Sequence, residues 1–83
     1  MTDVTPAVTI TVRYFAAARE AAGVDSSALT LKTGATVDDA IEELCGQSDK
    51  MILVLQKCSF LCDGVAVRDR TTVLRPHQTL DVL

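Results

Sequence analysis

The sequence predicts an α+β fold, in which a mixed sheet of about five strands carries one main helix on one face. Three patterns lead to this expectation: an alternating apolar and polar segment near the start, an amphipathic segment in the middle, and a hairpin signal followed by a last alternating segment. The 83 residues are 48% hydrophobic and 23% charged, which suits one core and is too short for two. We expect a flexible N-terminal tail over residues 1–7 and one domain over residues 8–83.

The first strand is predicted over residues 8–14, where strong β-formers alternate with polar side chains. One face of this strand carries only apolar or aromatic side chains, namely Val8, Ile10, Val12 and Tyr14. Residues 15–22 then switch to an alanine-rich composition that favours a short helix. Gly23 follows at the position where a helix commonly ends with a left-handed residue.

The main helix is predicted to begin after Thr36, with Asp39 completing an approximate capping box. Before it, a short strand over residues 27–31 is expected to pair antiparallel with the first strand, and residues 32–34 have turn chemistry. The apolar positions of the helix recur with helical spacing and form one stripe: Val37, Ala40, Ile41, Leu44 and Cys45. Gly46 is the expected end of this helix.

A short connector is predicted over residues 51–56. Its apolar run fits either a strand or a helix by periodicity alone. Ser48 and Asp49 immediately precede the run and are favourable helix-start residues. We therefore predict that the connector is helical.

A β-hairpin is predicted where Asp63 and Gly64 separate two β-forming segments, residues 59–62 and 65–68. Residues 69–78 have no regular pattern and are expected to be irregular.

The last strand is predicted over residues 79–83, which alternate again. The first and last strands are the most apolar and β-branched, so we expect them at the centre of the sheet. This order of elements is that of a ubiquitin-like β-grasp. A ferredoxin-like split βαβ fold would need a second full-length helix before the last strand, and residues 69–78 do not supply one.

Composition argues against nucleic-acid and membrane partners. Aromatic residues make up only 4% of the chain and its net charge is −3, whereas a protein that binds a phosphate backbone is expected to be basic. The apolar runs are shorter than the roughly 18 residues that a membrane span needs. The first residues lack the basic and apolar segments of a secretion signal.

The three cysteines, Cys45, Cys58 and Cys62, form an odd count, which is unusual for a small disulfide-linked secreted domain. We interpret them as reduced thiols of a cytoplasmic protein. Cys58 and Cys62 are expected on one face of a strand, about 13 Å apart and too far for a disulfide. Packing as small apolar residues is the simplest interpretation of all three.

No catalytic or cofactor-binding motif stands out in the sequence. The acidic residues cluster on the outer face of the main helix, where solvated carboxylates are expected. His77 lies in a loop beside Pro76 and is interpreted as a surface residue. The chain is therefore not expected to be an enzyme on its own, and neither a metal nor a cofactor is predicted.

The run from Val12 to Gly23 resembles the opening of the small subunit of molybdopterin synthase, a sulfur-carrier family. In that family a strand ends in the pattern F-A-x-x-R-E, present here from Phe15 to Glu20, and leads into a short helix closed by glycine. The start of the main helix at residues 34–37 and Leu74 also resemble the family. The resemblance covers residues 8–83.

This resemblance implies a sulfur carrier with a C-terminal Gly-Gly. A ubiquitin-activating-type adenylyltransferase activates the terminal carboxylate, which becomes a thiocarboxylate. The large subunit of molybdopterin synthase then receives this end, and the sulfur passes to a cyclic pyranopterin precursor. Gly-Gly suits the task because it is the thinnest chain end that can enter two different active sites.

The sequence departs from the family at its end, because it stops at Leu83 with no Gly-Gly beyond. We interpret this as a truncated or unrecorded tail rather than as a loss of the chemistry. The loop at residues 75–78 also differs from the usual acidic-glycine turn of the family.

The family residues that carry over are few. The resemblance implies that Phe15 and Arg19 pack at the interface with the large subunit, and that Leu83 guides the tail into the partner. Phe15 could instead be a core residue at the end of the first strand, and Arg19 a solvated helix charge or half of an intramolecular pair.

Two further functions remain open from the sequence. Sulfur carriers of thiamin or cysteine biosynthesis share the β-grasp and the Gly-Gly end. A ubiquitin-like interaction module without sulfur chemistry is the alternative from another class.

Overall fold

Five strands form one mixed sheet in the computed structural model, which describes residues 6–83. The strands are β1 (Ala7–Tyr14), β2 (Ser26–Lys32), β3 (Phe60–Cys62), β4 (Val65–Ala66) and β5 (Thr79–Val82). The helices are α1 (Ala16–Ala22), α2 (Val37–Cys45) and α3 (Asp49–Leu55). The predicted α+β class is confirmed. Of the predicted tail, residues 1–5 lie outside the described part, and β1 begins at Ala7.

The order of strands in the sheet is β2-β1-β5-β3-β4. β1 and β5 are neighbours and run parallel, whereas β2 is antiparallel to β1 and β3 is antiparallel to both β5 and β4. The expectation that the first and last strands lie at the centre is therefore confirmed. Because β5 is the middle strand, the end of the described chain emerges from the centre of the sheet rather than from its edge.

The alternation of β1 buries every second side chain, as predicted. The inward side chains of β1 are at most 4% exposed and join α2 and β5 in one core cluster. Burial of one such aliphatic side chain contributes about 1.5–3 kcal/mol. The outward face of β1 carries Thr9, Thr11 and Arg13, so one face of the sheet is left without a helix.

Helix α2 begins with the predicted capping box. The Thr36 hydroxyl accepts the N–H of Asp39 at 3.3 Å, and the Asp39 carboxylate accepts the N–H of Thr36 at 2.9 Å. These bonds satisfy two backbone donors that a helix start otherwise leaves unpaired. Four of the five predicted stripe residues are buried and Cys45 is half-buried, so α2 turns this stripe toward the sheet.

The irregular segment over residues 69–78 satisfies further donors at the start of α2. The N–H of Val37 donates to the carbonyl of Thr72 at 3.1 Å, and the N–H of Asp38 to that of Arg70 at 2.9 Å. Leu74 is only 2% exposed. The segment thus has no helix, as predicted, yet it is fixed by its backbone contacts.

Each of the two seven-residue helices has one terminus that follows the sequence signals: the end of α1 and the start of α3. Gly23 closes α1 in the left-handed region, at φ 76°, and its N–H donates to the carbonyl of Arg19 at 2.8 Å. The Ser48 side chain accepts the N–H of Met51 at 3.0 Å, so the helical connector is confirmed and begins at Asp49. No helix within residues 6–83 is long and apolar enough to cross a membrane.

The hairpin is present but shorter than predicted. Asp63 and Gly64 both have positive φ, 49° and 82°, as a two-residue turn of this kind requires. β4 ends at Ala66, two residues earlier than expected. Beyond it, the N–H of Val67 still donates to the carbonyl of Phe60 at 2.9 Å.

The prediction that Cys58 and Cys62 share one strand is wrong. β3 begins at Phe60, and Cys58 still belongs to the turn that ends α3. Its N–H donates to the carbonyl of Leu55 and its thiol to the carbonyl of Val54 at 3.1 Å. The helical turn outcompetes β pairing at this position because its acceptors are only a few residues away.

Candidate functional site

The C-terminal end of β5 is held by backbone hydrogen bonds on both sides. The N–H of Phe15 donates to the carbonyl of Val82 at 3.1 Å. Ser59 and Leu83 exchange two bonds, with Ser59 N–H to Leu83 O at 2.8 Å and Leu83 N–H to Ser59 O at 2.9 Å. Leu83 therefore lies in a fixed position between the start of α1 and the segment that follows α3.

An apolar groove of about 340 Å³ opens beside this end of the chain. We call it the C-terminal groove and define it by its lining residues: Phe15, Ala16, Ala17, Ala18, Leu53, Val54, Lys57, Cys58 and Leu83. Its three largest apolar side chains are exposed, Phe15 by 38%, Leu53 by 64% and Leu83 by 45%. A contiguous group of exposed apolar side chains is typical of a surface that binds another molecule.

Seven of the nine groove residues are absent from the predicted site, and Leu53 is the largest apolar side chain among them. The signal for Leu53 lies in the apolar run over residues 51–55. In a helix, consecutive residues point in different directions, so such a run cannot face the core with all its side chains. Met51 and Leu55 are buried, which leaves Leu53 on the outer surface.

A charged pair on the open face of the sheet lies next to the groove at Phe15. The guanidinium carbon of Arg13 is 5.4 Å from the centroid of the Phe15 ring, within the range of a cation–π interaction. The guanidinium also donates to both carboxylate oxygens of Asp81, from Nε at 2.7 Å and from Nη2 at 3.0 Å. This hydrogen bonding, and then the negative charge of Asp81, raise the pKa of Arg13 above its ordinary value.

Of the three residues that the family resemblance suggests, the structure brings two together. Phe15 and Leu83 both line the C-terminal groove. Arg19 does not line this groove; it lines a neighbouring depression of about 310 Å³, to which Phe15 also contributes, and forms an ion pair with Asp25 at 2.5 Å. Both partners of that pair are largely exposed, so the pair itself contributes little to stability. The roles of all three residues in binding stay predictions.

The three cysteines are free and half-buried. Burial raises the pKa of the Cys58 thiol above its ordinary value. Burial also raises the pKa of Cys62, with a smaller contribution from the negative charge of Asp63. Cys58 lines the groove, and its thiol is therefore in the neutral form at neutral pH, in which it is a poor nucleophile.

We expect iodoacetamide to alkylate Cys58 more slowly in the folded chain than in the urea-denatured chain at about pH 8, because burial favours the neutral thiol. The folded-state pKa is the higher one, so the two rates should converge only as the pH rises above it. Mass spectrometry of alkylated peptides from about pH 7 to about pH 10 measures both rates. Equal rates at neutral pH would contradict this assignment.

Other polar groups do not assemble near the groove. In the part of the chain that the structure describes, no cluster of three or more His, Cys, Asp or Glu side chains is arranged to hold a metal ion. His77 is exposed, and its backbone N–H donates to the carbonyl of Thr9 at 2.9 Å. The α2 carboxylates are exposed as expected, namely Asp38, Asp39, Glu42 and Glu43. The groove therefore offers apolar contact and a chain end.

Comparison with protein families gives one match over most of the chain. The model described as the ThiS family matches residues 12–83. The matched region includes the end of β1, all three helices and the whole of β5. Among curated protein sequences, none matches this chain.

Solved structures with the same fold cover nearly all of the chain. The HVO 2177 protein of Haloferax volcanii has a TM-score of 0.87 at 23% identity, covering 99% of this chain and 87% of its own. A Pyrococcus furiosus protein provisionally named molybdopterin converting factor, subunit 1, has a TM-score of 0.81 at 28% identity, covering 90% and 94%. The small archaeal modifier protein 1 of Methanosarcina acetivorans has a TM-score of 0.79 at 21% identity, covering 93% and 92%. The predicted ubiquitin-like β-grasp is confirmed.

Proposed function

Because the chain belongs to the ThiS family, whose members are ubiquitin-like sulfur carriers, we propose that it is the small subunit of molybdopterin synthase in molybdenum cofactor biosynthesis. In this role it is a protein co-substrate rather than a catalyst. A C-terminal glycine thiocarboxylate donates sulfur to a cyclic pyranopterin precursor. The proposal is supported by the F-A-x-x-R-E pattern that begins at Phe15 and by the likeness to the Pyrococcus furiosus protein at 28% identity.

The observation that carries the proposal is the position of Leu83. A sulfur carrier must present one flexible end to two enzymes while its body is recognised. Leu83 exchanges two backbone hydrogen bonds with Ser59, and it lines the C-terminal groove. The proposal requires a Gly-Gly end beyond Leu83. Such an end would extend from the protein beside the surface that a partner recognises.

The chemistry explains why two partners are needed. A carboxylate does not exchange oxygen for sulfur directly, because its oxygen is a poor leaving group. A ubiquitin-activating-type adenylyltransferase transfers the adenylyl group of ATP to the terminal carboxylate and releases pyrophosphate. A sulfur nucleophile then displaces AMP and leaves the thiocarboxylate. The large subunit of molybdopterin synthase takes this end and transfers its sulfur to the precursor, and the carrier returns to a carboxylate. Because a dithiolene contains two sulfur atoms, two loaded carriers are consumed for each dithiolene formed.

Both partners are proposed to dock on the C-terminal groove. Phe15 and Leu83 supply apolar contact area, which provides most of the affinity in such an interface. Arg19 lies beyond Phe15, where a rim charge influences the rate and orientation of docking more than the final affinity. We place these events in the cytoplasm, since free cysteines suit a reducing compartment.

The test begins with a chain extended beyond Leu83 by a short linker that ends in Gly-Gly. This chain is incubated with the adenylyltransferase of the source organism, ATP and a sulfur donor, and its intact mass is measured. We expect the mass increase of one oxygen-to-sulfur exchange. A matched extension that ends in Gly-Pro is expected to gain none. Absence of the mass change in the Gly-Gly chain would refute sulfur carriage.

The pathway is tested by a second reaction. The loaded chain is mixed with the large subunit of molybdopterin synthase and the pyranopterin precursor, and dithiolene formation is followed. Product formation with loss of the sulfur supports the molybdopterin role. A loaded chain that transfers no sulfur here, and instead co-purifies with a synthase of thiamin or cysteine biosynthesis, would assign the alternative pathway.

A further inference from the structure

Asp81 is a buried charge in the strand that leads to the chain end. Its exposure is only 6%, and it faces the open side of the sheet between β1 and β3, opposite Arg13 and Leu61. A carboxylate removed from water is costly unless a counter-charge and hydrogen bonds replace the solvent. The two-pronged contact from Arg13 supplies both.

Arg13 also contacts Phe15, which lines the C-terminal groove. Its guanidinium lies over the ring of Phe15 and donates hydrogen bonds from Nε and Nη2 to the Asp81 carboxylate. One planar group thus connects an aromatic side chain of the groove with a residue two positions before Leu83. A guanidinium suits this double contact because its fork pairs with a carboxylate while its flat face stacks on a ring.

The backbone completes this connection. Phe15 is extended, at φ −126° and ψ 150°, and its N–H donates to the carbonyl of Val82. Phe15 and the end of β5 are therefore connected in two ways. One is the backbone hydrogen bond to Val82, and the other is the pair of side-chain contacts through Arg13 and Asp81. A displacement of β5 along β1 would break the backbone hydrogen bond and the side-chain contacts together.

We propose that Arg13 is a positioning residue, which holds the Phe15 ring and the end of β5 in one fixed relation through Asp81. The functional consequence rests on the proposed sulfur-carrier role: Arg13 sets where the chain end leaves relative to the docking surface. A residue that only stabilised the sheet would need no contact with Phe15. The side-chain contacts of Arg13 are with Phe15 and Asp81, and the proposed effect on the chain end is transmitted through these two residues.

The positional claim is tested on the 83-residue chain, without any partner. The Arg13 side-chain protons that lie over the Phe15 ring are expected to resonate upfield, and this shift should disappear in Phe15→Leu. In Arg13→Gln, the amides of Phe15 and Ser59 are expected to exchange hydrogen about fivefold faster. The Leu74 amide, which bonds to Ala35, should change less than twofold after correction for global stability.

Two further variants separate position from charge and from folding. Arg13→Lys keeps the positive charge but lacks the two-pronged guanidinium. We therefore expect the Phe15 and Ser59 amides to exchange hydrogen nearly as fast in Arg13→Lys as in Arg13→Gln. Arg68→Gln removes an exposed guanidinium beyond β4 and is the matched control, with unchanged exchange at both amides. Equal acceleration at Phe15, Ser59 and Leu74, or full protection in Arg13→Lys, would overturn the proposal.

The functional consequence is measured with the Gly-Gly-extended chain and the adenylyltransferase. Arg13→Gln is expected to raise the KM for the carrier about fivefold while kcat changes less than twofold, because docking rather than chemistry is affected. Unchanged KM alongside faster Phe15 and Ser59 exchange would overturn the functional consequence. If the parent chain takes up no sulfur, the proposed function fails, whereas the exchange results still decide whether Arg13 positions the chain end.

Discussion

Replacing Leu44 with alanine is expected to lower the free energy of unfolding by about 2–5 kcal/mol. Leu44 is fully buried on the inner face of α2, in the core cluster that α2 shares with the sheet. Alanine would leave a cavity, and the dense surroundings of a small core close such cavities only in part. Urea denaturation followed by circular dichroism measures the loss.

The matched control for this substitution is Leu53→Ala on α3. Leu53 is 64% exposed, so its truncation removes little packing and should change the unfolding free energy by at most about 0.5 kcal/mol. If Leu44→Ala is too unstable to purify, Leu44→Met offers a smaller perturbation of the same site, of less than about 1.5 kcal/mol. A loss below about 1 kcal/mol in Leu44→Ala would contradict the assigned packing of α2.

Under the proposed function, Phe15→Asp is expected to weaken binding to the large subunit of molybdopterin synthase by about 30-fold or more. The ring lies in the C-terminal groove and is partly shielded by Arg13, so a partner that covers it would gain contact area at little entropic cost. A carboxylate at this position would have to be desolvated in the interface. Isothermal titration calorimetry with the purified large subunit measures the change.

Leu53→Asp should act in the same direction, since Leu53 lines the same groove from α3. Val65→Asp is the control: Val65 is 69% exposed, lies in β4 at the hairpin end of β3, and is not among the residues that line the groove. The unfolding free energy of each variant is measured in parallel to exclude misfolding. Equal affinities for Phe15→Asp and Val65→Asp would show that the partner binds elsewhere.

The distribution of charged side chains over the described surface suits the proposed docking on the C-terminal groove. The exposed carboxylates of α2, including Asp39 and Glu42, line a different depression beside β2. The groove itself contains no carboxylate and one cation, Lys57. Within the described residues, the lining of the groove therefore adds no negative charge that would repel an acidic partner.

Much of the fold could be predicted from local patterns. The period of two in β1 identifies its four inward side chains, and the period of 3.6 in α2 identifies the stripe that contains Leu44. The start of α2 at Thr36 and the end of α1 at Gly23 follow from side chains and backbone freedom at single positions. The error at Cys58 arose where a helical turn and a strand competed for the same residue.

The candidate site could be predicted only in part. The family pattern suggested Phe15 and Leu83, and both lie in the groove, whereas Leu53 and Arg13 were not identified. The orientation of Leu53 depended on whether the apolar run over residues 51–55 was helical. The role of Arg13 depended on parallel pairing with Asp81, which no spacing along the chain reveals.

The sequence by itself determined which side chains of β1 and α2 face the core, where α1 ends and where α2 begins, because periodicity and capping act within a few neighbouring residues. Only the tertiary structure decided that Phe15, Leu53 and Leu83 would share one groove, and that Arg13 would grip Asp81 beside it. These contacts join distant parts of the chain. Their register is set by the packing of the whole sheet against its helices, which local preferences do not encode.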